Sequence, residues 1–177
     1  MVATVSGDAQ TRRVLVRRLP GCVSLPTYES DGAAGMDVYA AEPVDGHLWC
    51  IVRSSGVETC DGSKPATLYP GDRARIPSGV AVAVPSGWEL QVRPRSGLAW
   101  RKGVTVTNSP GTIDSDYRGA VDVLVINHGH EPLTISPGDR IAQLVLCPVV
   151  RAQLEEVDSL PDTERGAGGF GSTGGTQ

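Results

Sequence analysis

The sequence predicts an all-β protein, a sandwich or a barrel, and three observations support this prediction. The apolar runs are short and rich in β-branched residues, as strands are. Clusters of turn residues separate these runs at short intervals. The 22 Gly and 13 Pro among 177 residues leave little room for long helices, which argues against coiled coils and helical bundles. A chain of this length is expected to form one domain with a substantial core.

Five segments have the short apolar pattern of strands, and turn residues bound each of them. They are residues 80–84, 90–93, 104–107, 121–126 and 141–146. Residues 68–73 and 135–140 resemble each other, since each contains a Pro-Gly turn that precedes an apolar strand. An internal duplication and two turns of independent origin both explain this likeness.

Two segments differ from the predicted barrel, and they set the expected domain boundaries. Residues 43–65 contain Gly-Ser turn clusters with weak periodicity, which is typical of a long loop or an inserted hairpin. Residues 165–177 contain six Gly in thirteen positions, which predicts a flexible end. We therefore expect a single β-barrel domain over residues 1–164 and a flexible C-terminal segment over residues 165–177.

Charge and apolar patterning limit the partners that the chain is expected to have. The formal net charge is −4 and the basic residues are spread along the sequence, which argues against direct binding to nucleic acid. No apolar run approaches the roughly 18 residues that a membrane span needs. The N-terminal region has no apolar run behind its arginines, unlike a secretory signal. We expect a cytoplasmic protein, or one of the host cytoplasm if its source is viral.

The cysteines are expected to be free thiols, because the cytoplasm is reducing. They are Cys22, Cys50, Cys60 and Cys147. Their spacing contains no C-x-x-C pair, and the histidines do not complete a zinc pattern. Cys50 and Cys60 could form a disulfide under oxidation. His128 and His130 flank Gly129, which fits a turn better than a metal pair.

A turn after residues 90–93 offers groups that suit a phosphate oxygen. Pro94 fixes the turn, after which Arg95 supplies charge, Ser96 a hydroxyl and Gly97 an adaptable backbone amide. Because short Arg-Ser-Gly stretches occur in many turns, this feature alone identifies no ligand.

The loop at residues 108–119 is packed with hydrogen-bonding groups directly before a buried strand. Asn108 can both donate and accept hydrogen bonds, so it could recognise the imide edge of a pyrimidine. Asp114 could deprotonate a water as a general base, and Tyr117 could stack on a sugar ring. The alternative is a polar hairpin loop in which Asp114 and Asp116 cap backbone amides.

Five motifs occur together in one order, and in combination they are highly specific. They are residues 33–40 (AAGMDVYA), 92–99 (VRPRSGLA), 108–119 (NSPGTIDSDYRG), 138–145 (GDRIAQLV) and 165–174 (RGAGGFGSTG). With these motifs the chain resembles the trimeric dUTP pyrophosphatase (dUTPase) family over residues 12–173, apart from residues 43–65. The resemblance implies a jelly-roll-like β-barrel assembled as a homotrimer, with three active sites at the subunit interfaces. It also implies hydrolysis of dUTP to dUMP and pyrophosphate, with Mg²⁺ held by substrate phosphates and waters rather than by protein ligands.

The resemblance assigns roles to the catalytic and phosphate-binding side chains. Asp114 matches the general base that holds the water attacking the α-phosphorus. Gln143 matches a residue that contacts the α-phosphate region and the waters on the metal. Asp37 matches an aspartate that supports the site, and its alternative role is to anchor a turn. The matching phosphate-binding turn consists of Arg95, Ser96 and Gly97.

The resemblance also implies a base pocket, a sugar contact and a tail that closes over the nucleotide. Tyr117 matches the residue beneath the deoxyribose, where its ring leaves no room for a ribose 2′-hydroxyl. Arg165 matches the arginine that binds the γ-phosphate, and Phe170 matches the aromatic that stacks over the uracil. The uracil pocket comprises Asn108 with the backbone around Gly111, Thr112, Ile113 and Asp122. The tail adds Gly171, Ser172 and Thr173 as phosphate contacts.

Residues 43–65 depart from the family pattern by roughly twenty extra residues, more than a common connection. They are either a surface that binds a protein partner or a tolerated surface insertion. Two other functions stay open. A dCTP deaminase shares the fold, but it carries a glutamate where this chain has Leu124, and an apolar side chain cannot transfer a proton. A dUTP-sensing module would use nucleotide binding to control a partner through residues 43–65.

Overall fold

The computed structural model describes residues 11–60 and 65–169, and within them it contains twelve strands and one helix. The helix is α1 (Ser96–Lys102). The strands are β1 (Leu15–Arg18), β2 (Met36–Tyr39), β3 (Cys50–Val52), β4 (Glu58–Cys60), β5 (Ala66–Leu68), β6 (Arg73–Ala83), β7 (Trp88–Arg93), β8 (Val104–Val106), β9 (Gly111–Ile113), β10 (Ala120–Asn127), β11 (Leu133–Ile135) and β12 (Arg140–Pro148). This content confirms the all-β prediction.

The strands form three antiparallel sheets. The largest has the order β4-β3-β6-β10-β8, and β1 pairs with the C-terminal half of β6. A second sheet has the order β2-β12-β7-β9, and β5 pairs with β11 in a third. The five segments predicted as strands coincide with β6, β7, β8, β10 and β12.

Alternation along β10 shows how the strands build the core and leave functional groups outside it. Val121, Val123 and Val125 are buried, whereas Asp122 is partly exposed and Leu124 is exposed. β-branched side chains fit such a half-buried strand well. The outward-facing positions of β10 are therefore available to line a cleft.

Helix α1 is an element that the turn pattern does not predict. Arg95 is its N-cap, with extended φ and ψ of −86° and 126°, and Gly103 ends it with a φ of 67°. Glycine suits this left-handed conformation because it has no Cβ. The N–H of Gly103 bonds to the carbonyl of Ala99 at 3.1 Å and so closes the last turn. The predicted phosphate-binding turn is thus the start of a short helix.

The described part of residues 43–65 forms a hairpin that extends the largest sheet. Strand β3 pairs with β4 on one side and with β6 on the other. Trp49, just before β3, is 1 % exposed and belongs to the main hydrophobic core. Its indole N–H donates to the carbonyl of Ala41 at 3.0 Å. The inserted segment therefore contributes to the core as well as to the surface.

A buried ion pair attaches the same hairpin to the turn between β5 and β6. Asp72 is 1 % exposed, and its carboxylate accepts a hydrogen bond from Arg53 at 2.7 Å. The backbone N–H groups of Ser54 and Tyr69 also donate to it, at 2.8 and 3.0 Å. Burial raises the pKa of Asp72, but these hydrogen bonds outweigh burial and hold the net pKa below its ordinary value of 3.8.

The expectation of four free thiols is wrong for one pair. Cys50 on β3 lies directly opposite Cys60 on β4, and the two form a disulfide. The antiparallel register brings the two Cα atoms within 4.2 Å, so the sulfurs meet across the hairpin. Cys22 and Cys147 are free, as expected.

The two similar Pro-Gly turns have the same local geometry and begin from paired strands. Strand β5 pairs with β11, and each is followed by a turn with a glycine of positive φ, 84° at Gly71 and 87° at Gly138. In each turn the aspartate after the glycine accepts a hydrogen bond from a backbone N–H three residues earlier, at 3.0 Å for Asp72 and 2.8 Å for Asp139. The likeness is therefore structural as well as sequential, whichever origin it has.

Residues 149–169 follow β12 and contain no strand or helix. In the ranges that the structure describes, no helix has the length and apolar character needed to cross a membrane. The domain boundary at residue 164 stays a prediction.

Candidate active site

A cleft of about 260 Å³ lies between β7, β9 and β10 and collects the residues predicted for base recognition. It is bounded by the loop before β9 and by the loop that joins β9 to β10. Its lining consists of Val92, Asn108, Gly111, Thr112, Ile113, Asp114, Tyr117, Ala120, Val121, Asp122 and Leu124. The cleft thus brings together the predicted uracil pocket, the predicted sugar contact Tyr117 and the predicted general base Asp114.

Asp114 stands at the end of β9, where the chain leaves the core. Ile113, the residue before it, is buried opposite Leu90 of β7 and anchors the strand end. Asp114 itself is exposed, and its carboxylate makes no hydrogen bond or ion pair to any residue that the structure describes. Only its backbone carbonyl is engaged, by the N–H of Tyr117 at 3.2 Å. The carboxylate is therefore available to accept a proton from a water in the cleft.

The alternative role of Asp114 is to cap a backbone amide. Within the described residues, no backbone N–H donates to its carboxylate. Among the described residues the carboxylate is thus unpaired and lies at the rim of the cleft, where a general base must be free to contact a water.

Gly111 allows Asn108 to lie against the wall of the cleft. A Cβ at Gly111 would come within 3.0 Å of Nδ2 of Asn108 and within 3.2 Å of Cβ of Val92. Larger residues would therefore push the Asn108 amide out of place. The peptide bond between Ser109 and Pro110, in the same loop, is cis.

Tyr117 is held in the cleft by its hydroxyl group, which donates to the carbonyl of Ala120 at 2.8 Å. The ring passes directly over Gly119, since a Cβ there would lie 2.6 Å from Cζ of Tyr117. Only glycine leaves room for the ring in this position. Gly119, which lies in the third motif, thus determines where the Tyr117 ring can lie, and no local sequence feature indicates this.

Asp122 forms part of the cleft wall, and an arginine on the neighbouring strand holds its carboxylate. Arg75 of β6 donates to Oδ2 of Asp122 at 2.9 Å. The other oxygen, Oδ1, is buried and finds no hydrogen-bond partner among the described residues. The sequence analysis assigned only the backbone at Asp122 and did not identify Arg75, because the two residues are 47 positions apart.

A second cluster forms around Asp37, in the sheet that contains β2, β12 and β7. The carboxylate of Asp37 accepts hydrogen bonds from Arg95 at 3.1 Å and from Arg140 at 3.2 Å. Arg140 also pairs with the exposed Glu29 at 2.8 Å. Asp37 therefore positions two guanidinium groups. The sequence did not identify Arg140, although it lies in the fourth motif.

Gln143 joins this cluster through strand pairing. It lies opposite Asp37 on β2 and opposite Arg93 on β7, and its Nε2 donates to the carbonyl of Pro94 at 3.1 Å. A Cβ at Gly35 would come within 2.6 Å of Oε1 of Gln143. Gln143 is thus fixed next to the turn that leads to Arg95.

Ser96 and Gly97 occupy the first turn of α1, beside Arg95. Ser96 is exposed, so its hydroxyl faces solvent. A Cβ at Gly97 would come within 2.7 Å of Nη2 of Arg101. The small residue therefore leaves room for the guanidinium of Arg101 at the start of the helix.

The clefts at the two clusters have no lining residue in common among the described residues. Arg95 and Arg140 line a second cleft of about 310 Å³, whereas Asp114 and Asp122 line the first. Arg165 bonds through Nε to the carbonyl of Gly168, within its own turn. The predicted contacts Phe170, Gly171, Ser172 and Thr173 lie outside the described residues. Apart from Arg165, the described site residues of a single chain therefore fall into two groups, one in the first cleft and one around Asp37.

The donors of the two clusters suit Mg²⁺ only if most of the ligands of the ion are waters or substrate oxygens rather than protein groups. Mg²⁺ prefers oxygen ligands in an octahedron and commonly keeps several waters. Asp114 offers a free carboxylate and Gln143 an amide oxygen, which fit contacts to such waters. The group of potential ligand atoms that the described residues bring within 4.8 Å is Cys50, Glu58 and Cys60, whose two sulfurs are bonded to each other. This hairpin group does not fit Mg²⁺.

The chain matches known proteins along nearly its whole length. The family model for dUTPase matches residues 61–174, which is more than half of the chain. A deoxyuridine 5′-triphosphate nucleotidohydrolase of an Anaeromyxobacter species is 52 % identical over 165 residues, 93 % of this chain and 96 % of the relative. The protein of the same name from Rhizobium rhizogenes is 49 % identical over 172 residues, 97 % of this chain and 99 % of the relative.

Solved structures agree with the fold. A mutant dUTPase of Staphylococcus bacteriophage 80alpha with dUpNHpp superposes with a TM-score of 0.72 at 23 % identity, over 93 % of this chain and 99 % of the phage chain. A mutant dUTPase of phage phi11 of S. aureus, described with a structural Mg(II) ion, gives 0.66 at 21 % identity, over 85 % and 100 %. These structures support the dUTPase barrel at the level of fold. The family model and the two bacterial relatives show that the chain belongs to the dUTPase family.

Proposed function

We propose that Asp114 activates the water with which this chain, a dUTP diphosphatase, hydrolyses dUTP to dUMP and pyrophosphate. The observation that carries the mechanism is the free carboxylate of Asp114 in a cleft that also contains Asn108, Tyr117 and Asp122. In the reaction the carboxylate takes a proton from water, the water oxygen attacks the α-phosphorus, and pyrophosphate leaves. Removal of dUTP in this way limits the incorporation of uracil into DNA.

The first cleft recognises the nucleoside. Uracil presents an acceptor where cytosine presents a donor, so the fixed amide of Asn108 and the backbone of Thr112 and Ile113 reject the wrong base strongly. Tyr117, held by its hydrogen bond to Ala120, lies beneath the sugar and leaves no room for a 2′-hydroxyl.

The cluster around Asp37 binds the phosphates. Arg95 and Ser96 supply charge and hydrogen bonds to the phosphate oxygens, which offset the negative charge that repels the attacking water. Gln143 contacts the α-phosphate region and the waters of the metal. A Mg²⁺ ion bound to the triphosphate would neutralise part of its charge, and Asp114 and Gln143 would contact the waters on it.

The active protein is a homotrimer, with each active site built at a subunit interface. This proposal is supported by the separation of the predicted site residues into two groups within one chain. Assembly allows the nucleoside cleft of one subunit to meet the phosphate-binding cluster of another. The tail completes the site: Arg165 binds the γ-phosphate, Phe170 stacks over the base, and Gly171, Ser172 and Thr173 wrap the phosphates.

The proposed site of action is the cytoplasm, where nucleotides are made. The protein partner predicted for residues 43–65 stays a prediction, and so does a sensing role. The deaminase alternative is not favoured, because Leu124 lines the cleft at the position where a proton-transferring glutamate is needed.

The proposed function is tested by measuring pyrophosphate release from dUTP, dCTP, dTTP and UTP. We expect turnover of dUTP alone. Asp114→Asn is expected to lose about 10²- to 10⁴-fold in kcat, the range of general-base catalysis. Asp116→Asn is the matched control, because Asp116 lies two residues away and does not line the nucleoside cleft.

Two results would contradict the proposal. Release of ammonia from dCTP would identify a deaminase. Equal activity of Asp114→Asn and the wild type would show that Asp114 is not the base.

A further inference from the structure

The hairpin formed by β3 and β4 lies in line with the nucleoside cleft across the largest sheet. Cys60 is paired with Cys50, Cys50 with Arg75 of β6, and Arg75 with Leu124 of β10. Residues directly opposite each other on neighbouring strands share a face of the sheet. This row therefore runs along one face from the hairpin to Leu124, which lines the cleft.

The two arms of the Arg75 guanidinium contact Cys50 within this row and Asp122, which lies two residues before Leu124 on β10. Nη1 donates to Oδ2 of Asp122 at 2.9 Å, and Nη2 donates to Sγ of Cys50 at 3.1 Å. A guanidinium is planar and its donors are fixed relative to one another, so movement at one partner is felt at the other. The disulfide sulfur thus influences where Arg75 holds Asp122.

The carboxylate of Asp122 is partly exposed, but it depends on Arg75 for its ion pair. Its side chain is 21 % exposed and its Oδ1 is buried without a hydrogen-bond partner in the described ranges. Arg75 is therefore the group that compensates this carboxylate, and loss of that contact leaves a partly buried charge unpaired. The unpaired carboxylate of Asp122 is expected to move, and the cleft wall at β10 is expected to move with it.

We propose that Arg75 is a positioning residue for the nucleoside cleft and that the Cys50–Cys60 disulfide sets its position, so that affinity for dUTP depends on the redox state of the hairpin. The inference rests on the proposed function of the cleft. It concerns the affinity for nucleotide rather than the chemical step, because the proposed general base Asp114 lies at the end of β9, outside the row.

Reduction of the disulfide alters the row through a balanced exchange with a dithiol. The sulfur–sulfur bond between Cys50 and Cys60 breaks, the dithiol passes two electrons and two protons to the protein, and it becomes a cyclic disulfide itself. Breaking the bond releases the sulfur of Cys50 from Cys60, so the acceptor of Nη2 of Arg75 is no longer held in place across the hairpin. With that anchor released, the position in which Arg75 holds the carboxylate of Asp122 is expected to change.

Steady-state kinetics with dUTP test the inference first. We expect KM to be at least about 5-fold higher for the reduced than for the oxidised wild type, the lower end of typical coupling between sites, with kcat unchanged. Arg75→Gln is expected to raise KM in the oxidised state and to abolish the redox difference. The double variant Cys50→Ser/Cys60→Ser is expected to be insensitive to reductant.

Arg73→Gln is the matched control, because Arg73 lies two residues earlier on β6 and pairs with Ile126 rather than with the cleft residues. It is expected to keep the KM of the wild type and its redox dependence. An equal effect in Arg73→Gln would point to a general loss of surface charge and would overturn the assignment to Arg75.

A titration of the wild type with dithiothreitol needs no variant and does not depend on turnover. Coupling is reciprocal, so the non-hydrolysable analogue dUpNHpp must make the disulfide harder to reduce by the same factor by which reduction weakens binding. The reduced fraction is measured by alkylation of Cys50 and Cys60 and mass spectrometry of their peptides, which separates them from Cys22 and Cys147.

The outcomes distinguish the two proposals. If the wild type releases no pyrophosphate from dUTP in either redox state, the proposed function fails. If it turns over dUTP with the same KM in both states, or if dUpNHpp leaves the reduction midpoint unchanged, the inference fails while the proposed function stands.

Discussion

The carboxylate of Asp37 accepts a hydrogen bond from Nε of Arg95 at 3.1 Å, and the two residues are 58 positions apart in sequence. The second carboxylate oxygen binds Arg140. The side chain of Asp37 is only 10 % exposed, so water screens these contacts weakly. The aspartate of the first motif thus fixes the arginines of the second and fourth motifs, and its supporting role in the site stays a prediction.

We expect Asp37→Asn to lower kcat/KM for dUTP by about 10- to 100-fold, because the carboxylate that orients the Arg95 guanidinium is replaced by an uncharged amide. Glu29→Gln is the matched control, since Glu29 is 49 % exposed and shares Nη1 of Arg140 with Asp37 but makes no ion pair with Arg95. Pyrophosphate release is measured for both. A normal rate in Asp37→Asn would show that Arg95 does not need this partner.

Gly119→Ala is expected to displace the ring of Tyr117, because the new Cβ would lie 2.6 Å from Cζ. Overpacking of this kind costs about 1–3 kcal/mol, so we expect kcat/KM for dUTP to fall by about 10-fold and discrimination against UTP to weaken. Gly32→Ala is the control, since a Cβ at Gly32 meets nothing within 4 Å. If the ratio of dUTP to UTP turnover stays that of the wild type, Tyr117 does not set sugar selectivity.

Acid is expected to loosen the attachment of the β3–β4 hairpin through Asp72. Its folded-state pKa lies below the ordinary value of 3.8, so the unfolded chain binds the proton more readily. The stabilisation is therefore complete above pH 3.8 and is lost as pH falls through the lower, folded-state pKa. Chemical unfolding at a series of pH values measures this dependence.

Asp72→Asn removes the charge and most of this pH dependence. We expect a loss of about 1–3 kcal/mol in the free energy of unfolding at neutral pH, at the lower end for a buried ion pair because Arg53 is 37 % exposed. The same pH dependence below pH 3.8 in variant and wild type would assign it to other carboxylates.

Deletion of residues 165–177 is expected to leave a folded oligomer with little activity. Within the described ranges, the residues of the hydrophobic core all precede residue 165, whereas the γ-phosphate arginine and the stacking aromatic are proposed within the deleted segment. Circular dichroism and size-exclusion chromatography test folding and assembly, and pyrophosphate release tests turnover. Deletion of residues 175–177 alone is the control. Undiminished turnover after the larger deletion would remove the tail from the mechanism.

Local sequence was sufficient for the nucleoside cleft, because its parts are close together in the chain. Asn108, Asp114 and Tyr117 belong to one loop, and the strand that follows supplies Asp122. Turn chemistry and the motif resemblance together were enough to predict that these residues share a site. Gly119 was missed because its role depends on the direction of the Tyr117 ring.

The sequence by itself determined the all-β class, five of the strands and the family, because alternation, turn residues and motif order are local properties of the chain. Only the tertiary structure decided that Arg140 shares Asp37 with Arg95, that Arg75 holds Asp122, and that Cys50 bonds to Cys60. Strand register brings these partners together from distant positions, and register follows from packing of the whole barrel rather than from any short segment.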